Sequence, residues 1–588
     1  MTVPYAETLA LLAPLVIGVT GHRDLRPEDV EELKKQVREI LNGLQTQYPS
    51  TPIILLSPLA EGADRLAASV ALENVVWRRL EVPLPMPQPL YEQDFQTPDS
   101  LVEFHQLLAE AKHRIAIPMQ ADEKQVAHGG AARDRQYEAM GKCIARESQI
   151  LIALWDGTDS GKIGGTAEIV KFQLHGVPSQ ADCDLQPPEL FPVYHIMTPR
   201  VSNPNPVGQP FKLEKKYPDS FKGEEKKKEA EDYYNQIFRN LEEFNQQILN
   251  GGESLTAKAI KSKHELLHDF DLANLSSNEG LDLERYAVAD ALAQDFQTKM
   301  QRMDKRLHWT VFLAFVCFVI FAHQEEHLSW LLASSLGLLV IAYALVKWYF
   351  PHAKLDSKSQ DYRAIAEGSR VRFFWNLARI RESVAENYLG KQRTELDWIR
   401  NGLRGWELET HMAPQAGPPP QKNRLEEIRK LWIDGQLNYF GPATAKMEKK
   451  FERLEGLKVI CAWLSFATAV VTLVALLVSR YCLWNEMPRE GCWLPGMIIV
   501  LDVSLIAAAL LHHYIQQKAY PQHIKQFGRM KAVFTKAREV IDEKLQVGDQ
   551  DSLAGVQKCL RKVGQEALSE NGDWVFLHRE RPLELPPP

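Results

Sequence analysis

Fourteen residues, Trp155-Asp-Gly-Thr-Asp-Ser-Gly-Lys-Ile-Gly-Gly-Thr-Ala-Glu168, carry the densest chemistry in this chain. The apolar run before them, Ile150 to Leu154, reads as a buried strand. The stretch from Ala167 to His175 reads as the first turns of a helix. A glycine-rich passage from strand end to helix start suits an anion, because backbone N–H groups converge there and the helix dipole favours negative charge. Gly157, Gly164 and Gly165 let the backbone approach a phosphate without a Cβ in the way. Lys162 offers a cation, and Thr166 and Asp156 offer polar contacts. Glu168 either caps the helix or binds a ribose hydroxyl. Trp155 either fills core or stacks on a base.

Two other strand ends have the same character. Leu15 to Val19 is a short apolar run, followed by Thr20-Gly-His-Arg-Asp24. Pro52 to Ser57 is another, and it leads through Pro58-Leu-Ala-Glu-Gly-Ala-Asp-Arg65 into a helix. Gly18, Gly21 and Gly62 serve tight turns or a ligand. Thr20 caps a helix or meets a phosphate, and His22 reads as a turn residue rather than a catalyst. Arg23 and Arg65 could hold a phosphate bidentately from either side of a cleft. Asp64 supplies a carboxylate for helix capping or for a sugar hydroxyl, and Glu61 is a further ligand-binding candidate of the same loop.

These loops need a scaffold. Leu80 to Leu84 and Arg114 to Pro118 add two further candidate strands, with helical patterns between them. Strands alternating with helices imply a mostly parallel sheet covered on both faces. Ligands of such sheets sit beyond the carboxyl ends of the strands.

Gly18-Val-Thr-Gly-His-Arg23, the Ser57–Arg65 stretch and Gly164-Gly-Thr-Ala-Glu168 together resemble the SLOG superfamily. That superfamily takes in Smf/DprA proteins, LOG phosphoribohydrolases and the N-terminal region of TRPM channels. Leu84-Pro-Met-Pro87, Tyr91-Glu-Gln-Asp-Phe95, Arg133-Asp-Arg-Gln-Tyr137 and Ala153 to Gly157 resemble a bacterial sensor branch of it. The resemblance implies a Rossmann-like α/β fold that binds nucleotides or nucleotide-derived messengers. LOG enzymes carry a PGGxGTxxE motif with a catalytic Glu. Aligned on Thr166, Ile169 stands at that catalytic position and Glu168 comes one residue early. The resemblance therefore implies binding more than turnover.

The rest of the chain reads as helical and membrane-bound. Apolar stretches run from His308 to Ala322, Leu328 to Val346, Val459 to Val478 and Leu494 to Leu511. They form two hairpins with aromatic and basic rims, as membrane spans do. Basic residues flank the hairpin ends away from the short loops, so the positive-inside rule predicts cytoplasmic N- and C-termini in a multi-pass protein of the inner (cell) membrane. Cys482 and Cys492 fall in the outward loop of the second hairpin, where a disulfide between them is expected. Asp502 is the acidic residue inside a span, either facing a polar path or hydrogen-bonded between helices. The hairpins with amphipathic extensions resemble the SLATT group of membrane effectors associated with bacterial defence.

The expected division is a sensing domain (1–199), a helical linker (200–306), a first hairpin (307–350), a cytoplasmic helical region (351–457), a second hairpin (458–515) and a C-terminal helical tail (516–588). The expected fold class is thus an α/β domain plus an all-α membrane domain with four transmembrane helices. A net charge of −7 gives no argument for nucleic acid as a partner. The seven cysteines show no metal-ligand spacing, so no metal is expected. The N-terminus has no basic region before its apolar stretch, so no cleavable signal peptide is expected. The expected partners are the lipid bilayer, a nucleotide-derived small molecule and further copies of the chain. The leading expectation is a ligand-gated membrane effector or channel. A membrane-anchored phosphoribohydrolase acting through Glu168 and a scaffold with a degenerate sensing fold are the alternatives.

Overall fold

The computed structural model describes residues 5–95, 97–177, 189–221, 223–267, 270, 272–323, 329–349, 354–389, 396–411, 420–482 and 493–579. The chain divides into two compact units. The first takes Met1–Ala257, Asp271–Arg285 and Arg381–Pro419, and the second takes Lys258–Phe270, Tyr286–Ile380 and Pro420–Pro588.

In the first unit, seven strands among the described residues form one sheet: β1 (Leu15–Gly21), β2 (Ile53–Leu56), β3 (Arg78–Leu84), β4 (His113–Ala116), β5 (Ile150–Trp155), β6 (Val193–Met197) and β7 (Leu213–Lys216). Their order is β4-β3-β2-β1-β5-β6-β7, parallel except for the β6–β7 pair. β1, β2 and β5 are apolar along nearly their whole length because both faces of a covered parallel sheet are buried. The chain builds outward from β1 in one direction through β4, then returns to add β5 on the other side. That reversal leaves a crevice between the carboxyl ends of β1 and β5. The helices that matter for the site are α1 (Val30–Gln47), α2 (Ala63–Ala71), α3 (Pro98–Glu110), α4 (Ala131–Glu147) and α5 (Thr166–His175).

The sheet extends past residue 199 through β7, and the segment from 381 to 419 joins the same unit. The helices Glu224–Asn250 and Asp397–His411 close the end of the sheet opposite the crevice. Asn245 exchanges hydrogen bonds with both backbone groups of Ala13, each at 2.9 Å, just ahead of β1. Trp406 donates its Nε1–H to Leu12 O at 3.0 Å, and its ring lies 6.1 Å from Phe244. Tryptophans this large bury only where a neighbour fits them, and the linear pattern of 381–411 does not say which neighbour that is.

In the second unit, four helices among the described residues are long and apolar enough to cross a membrane. The first and third are the far ends of very long helices, Ser277–His323 and Gly435–Cys482. The second is Ser329–Ala344, extended by a π-helical turn to Tyr349, and the fourth is Trp493–Gln517. Each returning helix is followed by a residue in the left-handed region, Lys354 (φ 46°) or Ala519 (φ 48°), and then by another helix, Leu355–Leu377 or Tyr520–Val547. The two hairpins therefore repeat one plan without repeating its residues. The polar helices of this unit share a core in which Phe374 stacks on Trp432 at 4.9 Å. Cys482 ends its helix and Cys492 lies outside the described residues, as does the loop between them.

Candidate functional site

A cleft of about 480 Å³ opens at the carboxyl ends of β1 and β5. It is lined by Thr20, Gly21, His22, Arg23, Asp64, Trp155, Lys162, Gly164, Gly165 and Thr166. All three loops singled out by their residue types thus contribute to one cavity. The backbone explains how they meet. Gly62 has φ 80°, and a Cβ there would lie 2.5 Å from the carbonyl oxygens of His22 and Arg23. Ala63 N–H donates to His22 O at 3.1 Å, which joins the β2 loop to the β1 loop. Gly164 (φ 70°) makes the same close approach to α4, where a Cβ would meet Tyr137 and the Glu138 nitrogen at 2.8 Å.

Several residues support the cleft from behind. Asp156 has a fully buried side chain. Its carboxylate accepts from Thr158 N–H at 3.0 Å, Asn203 Nδ2 at 2.9 Å and Arg200 Nε at 3.0 Å, while its own N–H donates to His22 Nε2 at 3.1 Å. Burial alone would raise its pKa, but the hydrogen bonds from Asn203 and Thr158 outweigh burial and hold it below the usual value. Burial lowers the pKa of His22, in keeping with its acceptor role as a neutral ring. Gly157, with φ 80°, makes the turn that follows Asp156. Gly18 lies under α4, where a Cβ would sit 2.2 Å from Ser148 Oγ.

Three expectations change with the fold. Arg65 does not face Arg23 across the cleft. Its side chain is 2% exposed, and its guanidinium donates to Leu59 O at 3.0 Å and Ser100 O at 2.8 Å and pairs with Glu103 at 3.0 Å, lying 4.5 Å above the Phe95 ring. It clamps α2 to α3 and holds Leu59 in its left-handed conformation (φ 57°). Glu61 is turned the same way, accepting from the Ser100 hydroxyl. Glu168 does not enter the cavity either; it accepts from Gly164 N–H at 2.6 Å and staples its own loop, while Ile169 lines the cleft.

The opposite wall is formed by residues that strand-end reasoning passed over: Tyr91, Asp94, Arg133 and Tyr137. Arg133 is fixed by Asp94 at 2.8 Å and by the carbonyls of Leu90 and Val126, both at 3.1 Å. Tyr137 donates its hydroxyl to Asp94. The available signal was the pair of motifs Tyr91–Phe95 and Arg133–Tyr137, whose polar residues fall at helical spacing on one face. Arg23 rises between the walls, 5.2 Å from the Tyr137 ring centroid. Among the described residues, neither Arg23 nor Lys162 has a carboxylate within ion-pair distance, and both are exposed. Asp64 at the base is 6% exposed, and burial raises its pKa to about 7 against the opposing pull of Arg23. The cleft thus offers two uncommitted cations, the starts of α4 and α5, and a carboxyl that is half protonated near neutrality.

Compared with known protein families and curated proteins, the chain matches none.

Proposed function

We propose that this protein is a membrane effector whose α/β unit, a Rossmann-like fold of the SLOG kind, binds a nucleotide-derived messenger and passes the signal to the membrane helices. The observation that carries this reading is the switch-point cleft with Arg23 and Lys162 unpaired at its mouth. Phosphate groups suit Arg23, Lys162 and the α5 N-terminus, and Trp155 offers a face for a base. The 480 Å³ volume is ample for a mononucleotide-sized ligand. Support for a receptor over a hydrolase comes from Glu168, whose carboxylate is occupied by the loop backbone, and from Ile169 at the cavity wall. The chain passes from the first unit to the second within the continuous helix Ser277–His323, which supplies a stiff route to the first span. Four spans cannot enclose a wide pore, so the active form is a homo-oligomer that opens a conduction path or disrupts the bilayer. In this reading the protein lies in the inner membrane with both termini cytoplasmic.

The test uses the full-length protein in detergent with ADP-ribose and a panel of cyclic oligonucleotides. At 100-fold excess over its dissociation constant, a ligand specific for the native state adds about 2.7 kcal/mol, which reads as a clear rise in melting temperature. Arg23→Ala is expected to abolish the rise while leaving the ligand-free melt unchanged, since Arg23 is exposed. No rise with any member of the panel sinks the reading. A ligand that passes is then applied to protein in dye-loaded liposomes, where release of the dye is the expected outcome.

Asp64 makes this binding pH-dependent. Its folded pKa is about 7 and its unfolded value 3.8, so the folded state holds more protons between these values. Its contribution to stability is therefore greatest in acid and declines as pH rises through that window. An anion in the cleft favours the protonated form further. Affinity for the panel ligand is expected to weaken as pH rises from 6.5 to 8.5, by at most about 25-fold for one coupled proton with a pKa near 7. Asp64→Asn, which stays neutral, removes the dependence; an unchanged pH profile in that variant would count against the assignment.

A further inference from the structure

An ionisable pair sits between the first and fourth spans, within their apolar length. The register between the first and fourth spans is fixed at their polar end. Lys518 Nζ lies 2.6 Å from Asp304, the His308 and Tyr514 rings are 5.2 Å apart, and Leu307 and Val311 pack in a cluster with Leu510. From Tyr514 back to Trp493 the fourth helix covers about 31 Å, which matches a core of about 30 Å. From His308 to His323, its last described residue, the first helix covers about 22 Å. His323 Nε2 there lies 3.8 Å from Asp502 Oδ2. Asp502 is some 13 Å along its helix from Trp493. The returning helix is described from Ser329 and runs, with its π-helical turn, to Tyr349.

Both side chains are only partly covered by protein: His323 is 25% exposed and Asp502 is 33% exposed. A carboxylate facing lipid at this depth costs about 2.5–3.5 kcal/mol, and a bilayer relieves such a mismatch by letting water reach the charge. The tautomer of His323 is set by its other nitrogen, because Nδ1 lies 2.9 Å from Val319 O, which can only accept. Nδ1 therefore carries hydrogen, and in the neutral ring the Nε2 lone pair faces Asp502. A proton from water placed between Nε2 and Oδ2 bridges the two groups, either as imidazolium beside carboxylate or as carboxyl donating to imidazole. Among the described residues no other ionisable group is within ion-pair distance of Asp502; the neighbouring polar groups are the Ser465 and Ser504 hydroxyls, which both donate to Leu501 O.

We propose that His323 and Asp502 form a proton-binding site between the first and fourth spans, connected by a water-filled approach to one side of the membrane. This rests on the helices crossing a bilayer, and not on ligand gating or conduction. The test uses the full-length protein in phosphatidylcholine vesicles. The infrared difference spectrum between acidic and alkaline buffer is expected to contain a carboxyl band that disappears in Asp502→Asn and an imidazole band that disappears in His323→Gln. Identical spectra for the wild type and Asp502→Asn would overturn the site. A second measurement needs no variant. A water-soluble carbodiimide with a charged amine is expected to modify Asp502 of the wild-type protein, read by mass spectrometry of the peptide that contains it. Absence of that modification overturns the water-filled approach. Both readouts report protonation and access in a protein that never conducts, so failure of the site and failure of the effector reading are separate results.

Discussion

Replacing Asp156 with alanine is expected to destabilise the α/β unit by about 3–5 kcal/mol, one of the two largest effects anticipated for this protein. The side chain is fully buried and accepts hydrogen bonds from Thr158, Arg200 and Asn203. Truncation leaves the Arg200 guanidinium with only Asp24, at 3.7 Å, and strips the Thr158 and Asn203 donors of their buried acceptor, which costs more than the lost bonds contributed. It also releases the turn that positions Trp155 and the glycine loop. Asp156→Asn keeps the shape and is expected to cost about half as much. The effect has a pH signature. Because the folded pKa is depressed, the stabilisation is fully present above about pH 4, the unfolded value, and is lost as pH falls through the folded pKa. Thermal melts of wild type and variant should therefore converge in strong acid. A variant that melts within 1 kcal/mol of wild type at pH 7 would show that the hub is dispensable.

Lys518→Met is expected to produce the second large effect, about 3 kcal/mol in detergent-solubilised protein at pH 7. Asp304, just before the first span, has a side chain only 1% exposed, and Lys518 Nζ is 2.6 Å from it. Burial raises the pKa of Asp304, but His308 and Lys518 more than offset this and hold the group ionised. Removing the lysine strands that charge. The reverse change should cost less, because Lys518 is 21% exposed and its long stem can carry the ammonium to water. Asp304→Asn is thus expected to cost about 1 kcal/mol, and the double variant should recover most of the loss. If the double variant is as unstable as Lys518→Met alone, the pair is not the source of the effect. Since this pair also fixes the register between the first and fourth spans, the His323–Asp502 contact should loosen with it.

The contrast between these two sites shows what each level of description supplies. The carboxylates looked alike in the sequence: Asp64 and Glu168 were candidates for a sugar hydroxyl or a helix cap, and Asp156 for a contact to the same ligand. The fold separates them by burial and partners. Asp64 lines the cavity with a pKa near 7, Asp156 is a buried acceptor hub, and Glu168 closes its loop. Arg23 and Arg65 were equally similar, and only one reaches the cleft. Which way a guanidinium turns depends on acceptors such as Leu59 O and Ser100 O, and those arrive from other turns of the chain.

Local sequence determined what local physics can determine. The apolar runs of β1, β2 and β5 announce buried strands, the polar glycine-rich stretches after them announce loops at the strand ends, and four long apolar runs announce membrane-compatible helices. These features depend on neighbours within a few residues, so they survive without tertiary context. β6 and the edge strand β7 were missed because their burial is interrupted or slight, and their pairing rather than their apolarity makes them strands. The distant relations were decided by packing alone. Trp398 and Trp406 take the 381–411 segment to the sheet unit, Tyr91 and Arg133 supply the far wall of the cleft, and helix lengths measured from Asp304–Lys518 bring His323 to Asp502. Each joins residues tens to hundreds of positions apart, and the geometry that pairs them exists only after the intervening elements have chosen their partners. The glycine-rich loop was legible as a phosphate cradle from its own residues; that Arg23 stays free above it while Glu168 is spent beneath it was settled by the fold.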